Sequence, residues 1–240
     1  MAVHVNLSTK QEVLEAINAA SISQPLRIAT LNPEFMLEAQ HNLAFREALS
    51  QMTHCIIDGA GLYFALKLQG IKVERYAGSS LMADLLKKYQ NGSKSFFLVG
   101  GPKNLANNAA QTIMTTYPKI QSIHGSDGGQ VDMDSLIVNP TLISTIKAKK
   151  TDILFVGFGA PKQELWIHAA KLHAPAPVMI GVGGSFGFYT HKKRAPLWMR
   201  TFYLEWLYRG LTEKGHMKRV WRAVVIFPLY ALRWIVRPEH

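Results

Sequence analysis

Between residues 26 and 182, short apolar runs rich in β-branched and aromatic residues alternate with longer stretches whose apolar positions recur at helical spacing. The short runs predict strands at Leu26–Leu31, His54–Asp58, Ser95–Val99, Ile120–His124, Asp152–Val156 and Val178–Val182. The longer ones predict helices over Glu34–Ser50, Ala60–Gln69, Ser80–Gln90, Lys103–Tyr117, Ser135–Lys149 and Lys162–His173. Ile153-Leu154-Phe155-Val156 has no polar position, as expected of a strand covered on both faces in a parallel sheet. Strands alternating with helices predict an α/β fold, an open and mostly parallel sheet flanked by helices. From Pro196 onward the pattern is helical and tryptophan-rich. This predicts a sheet domain over residues 1–195 and a helical, basic appendage over residues 196–240.

Open α/β sheets bind ligands beyond the carboxyl ends of their strands. The predicted strand ends carry Thr30-Leu31-Asn32, Asp58-Gly59, Gly100-Gly101-Pro102, Gly157 through Glu164, and Gly181-Val182-Gly183-Gly184. Glycines at such turns let a ligand approach the backbone, and the N–H groups of a following helix can hold phosphate. Ordinary turn chemistry also places glycine there. The chain has no full Gly-x-Gly-x-x-Gly fingerprint and no Walker A lysine, which disfavours a dinucleotide dehydrogenase or an NTPase. Asp58 ends an apolar strand before a glycine-led helix, where a carboxylate serves either as a general base or as a helix N-cap. Asp132-Met133-Asp134 follows the turn Asp127-Gly128-Gly129 and fits a helix N-cap better than a metal site. The nine histidines show no zinc spacing, so no metal ligand is expected.

Charge alters this picture at one end. Residues 1–191 carry 16 Lys/Arg against 13 Asp/Glu, whereas residues 192–240 carry 11 against 3, so most of the +11 net charge lies in the tail. Lys218, Arg219, Arg222, Arg233 and Arg237 surround an apolar body with Trp221, Phe227, Tyr230 and Trp234. At helical spacing Arg219, Arg222, Arg233 and Arg237 fall within an arc of about 60°, the pattern of an interfacial helix on an anionic membrane surface, although Pro228 should kink or break it. A helix packed on the domain with solvated arginines is the plain alternative. Nucleic acid is not an expected partner, because the stripe is short and no nucleic-acid-binding motif accompanies it. The longest apolar stretch, Ala223–Leu232, is well short of the roughly 20 residues a spanning helix needs. Cys55 is the single cysteine, and residues 1–10 lack the apolar run of a signal peptide. The expectation is a cytoplasmic protein, peripheral on the inner face of the plasma membrane.

Gly157–Glu164, Gly181–Phe186 with Lys193-Arg194-Ala195-Pro196, and Leu204-Glu205-Trp206-Leu207-Tyr208-Arg209 resemble blocks of the WecG/TagA/CpsF family of bacterial glycosyltransferases (glycosyltransferase family 26). Thr30-Leu31-Asn32, Asp58-Gly59 and Arg75-Tyr76-Ala77-Gly78 fit the same family in order and spacing, so the resemblance spans about Leu26 to Arg222. It implies a Rossmann-like sheet that transfers a sugar, with inversion, from a UDP-sugar to a sugar on a polyprenyl diphosphate in cell-surface polysaccharide synthesis. N-acetylmannosamine is the implied donor sugar, with glucose as an option. By the same resemblance Asp58 is the catalytic base, Thr30 and Asn32 are active-site contacts, Gln163 meets the nucleotide-sugar, and Arg75 senses sugar or diphosphate. Gly100, Gly101, Gly159, Pro161, Glu164, Gly183 and Arg194 complete the candidate substrate-binding set. Arg209, Arg219 and Arg222 are the tail arginines that reach the site once the tail meets the membrane. No metal cofactor is implied, and a homo-oligomer is left open.

Two departures stand out. Gly187 replaces the aspartate usual after the Gly-Gly block, which bears on donor-sugar recognition, and Lys214-Gly215-His216 replaces a Pro-x-Arg, removing one expected arginine. These losses leave one alternative, a catalytically inactive membrane-surface or scaffold protein of the same fold.

Overall fold

A computed structural model of the chain describes residues 5–129, 138–190, 195–196, 198–199, 205–212 and 221–236. Helix α1 (Lys10–Ala19) precedes strand β1 (Leu26–Leu31), and α2 (Pro33–His41) and α3 (Leu43–Ser50) lead to β2 (His54–Ile57). Helices α4 (Ala60–Leu68) and α5 (Gly78–Lys88) lead to β3 (Phe96–Val99), followed by α6 (Leu105–Thr116) and β4 (Ile123–Ser126). Then come α7 (Pro140–Ala148), β5 (Ile153–Val156), α8 (Lys162–Ala170) and β6 (Val178–Gly181). A 3-10 segment, Gly183–Tyr189, follows β6 directly.

The six strands form one sheet in the order β2-β1-β6-β5-β3-β4, and every pair is parallel. Right-handed crossovers dictate which face each helix covers. Connections running toward β2 place α2, α3, α7 and α8 on one face, over Ala29, Leu31, Leu154, Val156 and Met179. Connections running toward β4 place α5 and α6 on the other face, over Ile28, Phe96, Leu98, Phe155 and Ile180, with α1 beside them. The α/β expectation holds, and β5 is apolar throughout because both of its faces are buried.

Local chemistry explains the differences in element boundaries. The single helix expected over Glu34–Ser50 is two helices meeting at Asn42. Its backbone N–H closes α2 on the Glu38 carbonyl, and its side-chain oxygen caps α3 at the Phe45 N–H. Helix α1 was not expected, yet Thr9 and Glu12 form a reciprocal capping box at its start. Strand β4 lies three residues later than the pattern suggests. Its Gly125 accommodates the α6 backbone, since a Cβ there would come within 2.4 Å of the Ala106 carbonyl.

In the tail, helix Glu205–Thr212 is followed by a π-helical turn, Arg222–Ile226, and by helix Phe227–Val236. Pro228 does not break this helix. The widened turn, in which the Phe227 N–H reaches the Arg222 carbonyl, comes just where a proline would clash with an ordinary α-helical turn. Phe227 is 4% exposed and belongs to the main core cluster, and its helix packs against α2 and α4. Asp132 and Asp134 lie outside the described residues.

Candidate active site

All strand ends point to one edge of the sheet, and the helices leaving them diverge. α2 and α8 go to one face, whereas the 3-10 segment after β6 packs its Phe186 on the other. Open sheets bind ligands where helices diverge in this way, so the region beyond the ends of β1, β6 and β5 is the candidate site. Around it lie Asp58, Thr30, Asn32, Gly159, Gln163, Glu164 and Gly183.

Asp58 follows β2 by one residue, and its backbone is held from two sides. Its N–H donates to the Leu31 carbonyl at 2.8 Å, and its own carbonyl accepts from Arg75 Nε at 2.7 Å. Arg75 is aligned for this by a parallel bridge to Ile57 and by the Tyr76 N–H on the Ile57 carbonyl. The N-cap of α4 is Gly59, so Asp58 stands one residue before the cap position. Gly59 is required for space. A Cβ would lie 2.5 Å from Pro33 Cδ and 2.9 Å from Asn32 Cβ, so the β1 and β2 ends touch there.

Thr30 is buried, and its hydroxyl donates to the Gly181 carbonyl at 2.9 Å, pinning β1 to β6 at their carboxyl ends. Asn32 caps α2, its Oδ1 accepting from the Glu34 and Phe35 N–H groups. This leaves the Nδ2 donor for a ligand.

Gln163 Oε1 accepts from Gly159 N–H at 3.2 Å and from Gly183 N–H at 2.9 Å, so one buried amide ties the β5 loop to the β6 loop. Its Nε2 donates to Glu164 Oε1 at 2.6 Å. Gly159 and Gly183 both have positive φ, and a Cβ on Gly159 would meet nothing within 4 Å. This is the open approach to backbone that a ligand needs. Pro161 is the N-cap of α8 and follows a cis peptide bond.

Gly100 and Gly101 both have positive φ and close neighbours within the protein. A Cβ on Gly100 would lie 2.9 Å from the Gly157 backbone and the Phe158 ring, and Gly101 packs on Leu105. The Phe158 ring also fills the space over Gly128, where a Cβ would come within 2.7 Å. These glycines therefore receive an aromatic ring and a helix side chain from the protein itself.

The WecG/TagA/CpsF description of glycosyl transferases matches residues 1–240. The chain belongs to this family. It is a glycosyltransferase. An N-acetylglucosaminyldiphosphoundecaprenol N-acetyl-beta-D-mannosaminyltransferase of Staphylococcus aureus is 31% identical over 232 residues, 95% of this chain and 89% of its own length. A protein of the same name from Bacillus spizizenii is 33% identical over 205 residues, covering 85% and 76% respectively.

In this glycosyltransferase the expected arginines are only partly placed. Arg194 and Arg219 lie outside the described residues, as do Lys214-Gly215-His216, and Arg209 is placed only as a position on helix Glu205–Thr212. Arg222 is exposed and opens the π turn. Gly187 is buried in the 3-10 segment, and its carbonyl accepts the Thr190 N–H and hydroxyl.

The sequence leaves open which element the tail packs against. A Cβ on Gly61, three residues beyond Asp58, would face the Ala223 carbonyl at 3.5 Å and Phe227 Cδ1 at 3.7 Å. The π turn thus sits on the first turn of α4, beside the Asp58 loop. Gly181, already marked by the sequence as a strand-end glycine, has a packing reason to lack a side chain: a Cβ would lie 2.7 Å from Gln163 Nε2 and 2.8 Å from Glu164 Oε1. Among the described residues no group of three or more His, Cys, Asp or Glu is placed to hold a metal ion.

Proposed function

We propose that this glycosyltransferase moves an N-acetylmannosaminyl group, or alternatively glucose, from a UDP-sugar to a sugar carried on polyprenyl diphosphate, inverting the anomeric centre. The reaction takes place on the cytoplasmic face of the plasma membrane. The observation that carries this reading is the seating of the C-terminal π turn and helix beside the Asp58 loop, which joins a general base to the element facing a lipid-held acceptor. The names of the two relatives support N-acetylmannosamine over glucose as the donor sugar and N-acetylglucosaminyl diphosphoundecaprenol as the acceptor.

The Asp58 carboxylate takes the proton of the acceptor hydroxyl as its oxygen bonds to the anomeric carbon, and the bond to UDP breaks on the opposite face. UDP leaves with the bonding pair. Its charge is met by N–H groups at the strand ends and by arginines of the tail, so the proposed mechanism needs no metal ion. The test is a screen of UDP-sugars against a short-chain lipid-diphosphate N-acetylglucosamine, with the product linkage read by NMR, with and without a chelator. The expected product is β-linked N-acetylmannosamine formed at an unchanged rate in chelator. Transfer from neither donor would overturn the reading, and a chelator-sensitive rate would overturn its metal-free part.

Membrane docking has its own support. Phe64 and Leu68 on α4 and Trp221, Ile226 and Leu229 on the tail are exposed on two elements that pack together. Lys67, Lys72 and Arg222 adjoin them, and no acidic residue occurs between Gly59 and Val73 or between Trp221 and Val236. Apolar contact rimmed by cations suits an anionic bilayer. No described helix is long and apolar enough to cross a membrane. Combining Trp221→Ser with Leu229→Ser should weaken binding to phosphatidylglycerol vesicles about tenfold, and adding Phe64→Ser should weaken it further. Equal sedimentation of variant and parent with the vesicles would refute the surface.

A further inference from the structure

Glu164 is fully buried, and its Oε2 has no hydrogen-bond partner among the described residues. The carboxyl lies under Gly181, whose missing side chain leaves room for it and for the Gln163 amide. Among the described residues two donors face it, Gln163 Nε2 and its own backbone N–H, and both belong to neutral groups. A buried carboxylate so poorly compensated is costly, whereas the neutral acid keeps a carbonyl acceptor for Gln163. Burial accordingly pushes this carboxyl up to about 8, against the pull of those two donors.

The neutral acid has a defined place in a hydrogen-bond chain. The Gly159 and Gly183 N–H groups donate to the Gln163 oxygen, and the Gln163 amide donates to Glu164 Oε1. Each link polarises the next in the same sense. We propose that Glu164 works as a neutral carboxylic acid, a positioning residue that completes this chain and so holds the β5 and β6 loops at a fixed spacing for the nucleotide-sugar donor. The donor half of the statement rests on the function proposed above.

The groups around Glu164 do not titrate across the alkaline range where it would ionise. Cys55, from β2, is raised to about 12, by burial first and by Glu164 itself in smaller part. His168, one turn along α8, is held below its ordinary value by burial, with Lys171, Glu47 and Arg27 around it. Because the folded-state value of Glu164 is raised, folding takes up a proton between the ordinary carboxylate range and about 8. Stability should fall as pH rises through that interval and level off above it, and Glu164→Gln should flatten the slope.

The decisive measurement is a pH titration of backbone amides by NMR on the full chain. The Gly159 and Gly183 resonances should move together with a midpoint near about 8 in the parent and stay in place in Glu164→Gln. Amides that fail to titrate in the parent, or that titrate equally in Glu164→Gln, would overturn the lock. In kinetics at about pH 7, Glu164→Ala should raise the donor KM about tenfold and change kcat about twofold or less. Glu164→Gln, which keeps one acceptor and one donor, should recover most of that KM. A Gln variant as impaired as the Ala variant would show that a charge is needed and would overturn the proposal. Co-titrating amides with an unmoved donor KM would uphold the lock and refute the donor site, which separates the two ideas.

Discussion

Asp58→Asn should lower sugar transfer by about three orders of magnitude while leaving the donor KM within about twofold. Asparagine keeps the size of the side chain and the backbone bonds to Leu31 and Arg75, but it cannot accept the acceptor's proton. Donor binding, proposed at the β5 and β6 loops, should be indifferent to the change, so the loss should fall on kcat. The α4 cap is Gly59, so the substitution removes no N-cap residue, and a melting curve separates lost chemistry from lost fold. Steady-state kinetics alongside a melting curve would check both halves. Transfer within about tenfold of the parent would remove Asp58 from the role of base.

Gly59→Ala is the second large effect, and it acts through geometry alone. The added methyl would sit 2.5 Å from the Pro33 ring and 2.9 Å from Asn32 Cβ, neither of which can rotate away. The β1 and β2 ends must separate, at a cost of about 1–3 kcal/mol in stability. Asp58 is the adjacent residue and moves with them. A displacement near one ångström at a reacting group costs about a hundredfold in rate, so kcat should fall by about that factor in protein that still folds. Parent-like turnover would show that the Asp58 loop is less tightly seated than these contacts indicate. By contrast, Gly129→Ala meets nothing within 4 Å, and it serves as a control for left-handed backbone strain without a clash.

The tail shows why truncation is a poor test of docking. Removing residues 216–240 would take Phe227 with them, a residue 4% exposed in the main core cluster. Truncation would uncover the α2 and α4 surfaces beneath it. Substituting the exposed Trp221 and Leu229 leaves that packing in place.

Strand identities, the alternation with helices and the position of Asp58 were legible in the chain because each is written in local periodicity. β5 and β6 needed only a run of apolar residues. Where local signals competed, the pattern misled. Asn42 looked like one polar position within a helix, yet it ends one helix and starts the next. β4 was placed too early because Ile120 is buried in the preceding connection, while Gly125, a poor strand former, belongs to the strand.

At the site the division has a physical basis. The sequence by itself determined which chemical groups stand at the strand ends: an aspartate after β2, a threonine and an asparagine around the end of β1, and glycines after β5 and β6. Composition at a strand end is a local property. Only the tertiary structure decided which of these groups meet one another. Parallel pairing brings β6 beside both β1 and β5 although long stretches of chain separate them. That pairing lets Thr30 reach Gly181 and lets Gln163 join two loops. It also determined that Gly100 makes room for Phe158 and that Glu164 is buried with no partner for Oε2 among the described residues. Such contacts depend on strand order and crossover hand, which arise from packing the whole chain around two faces of one sheet.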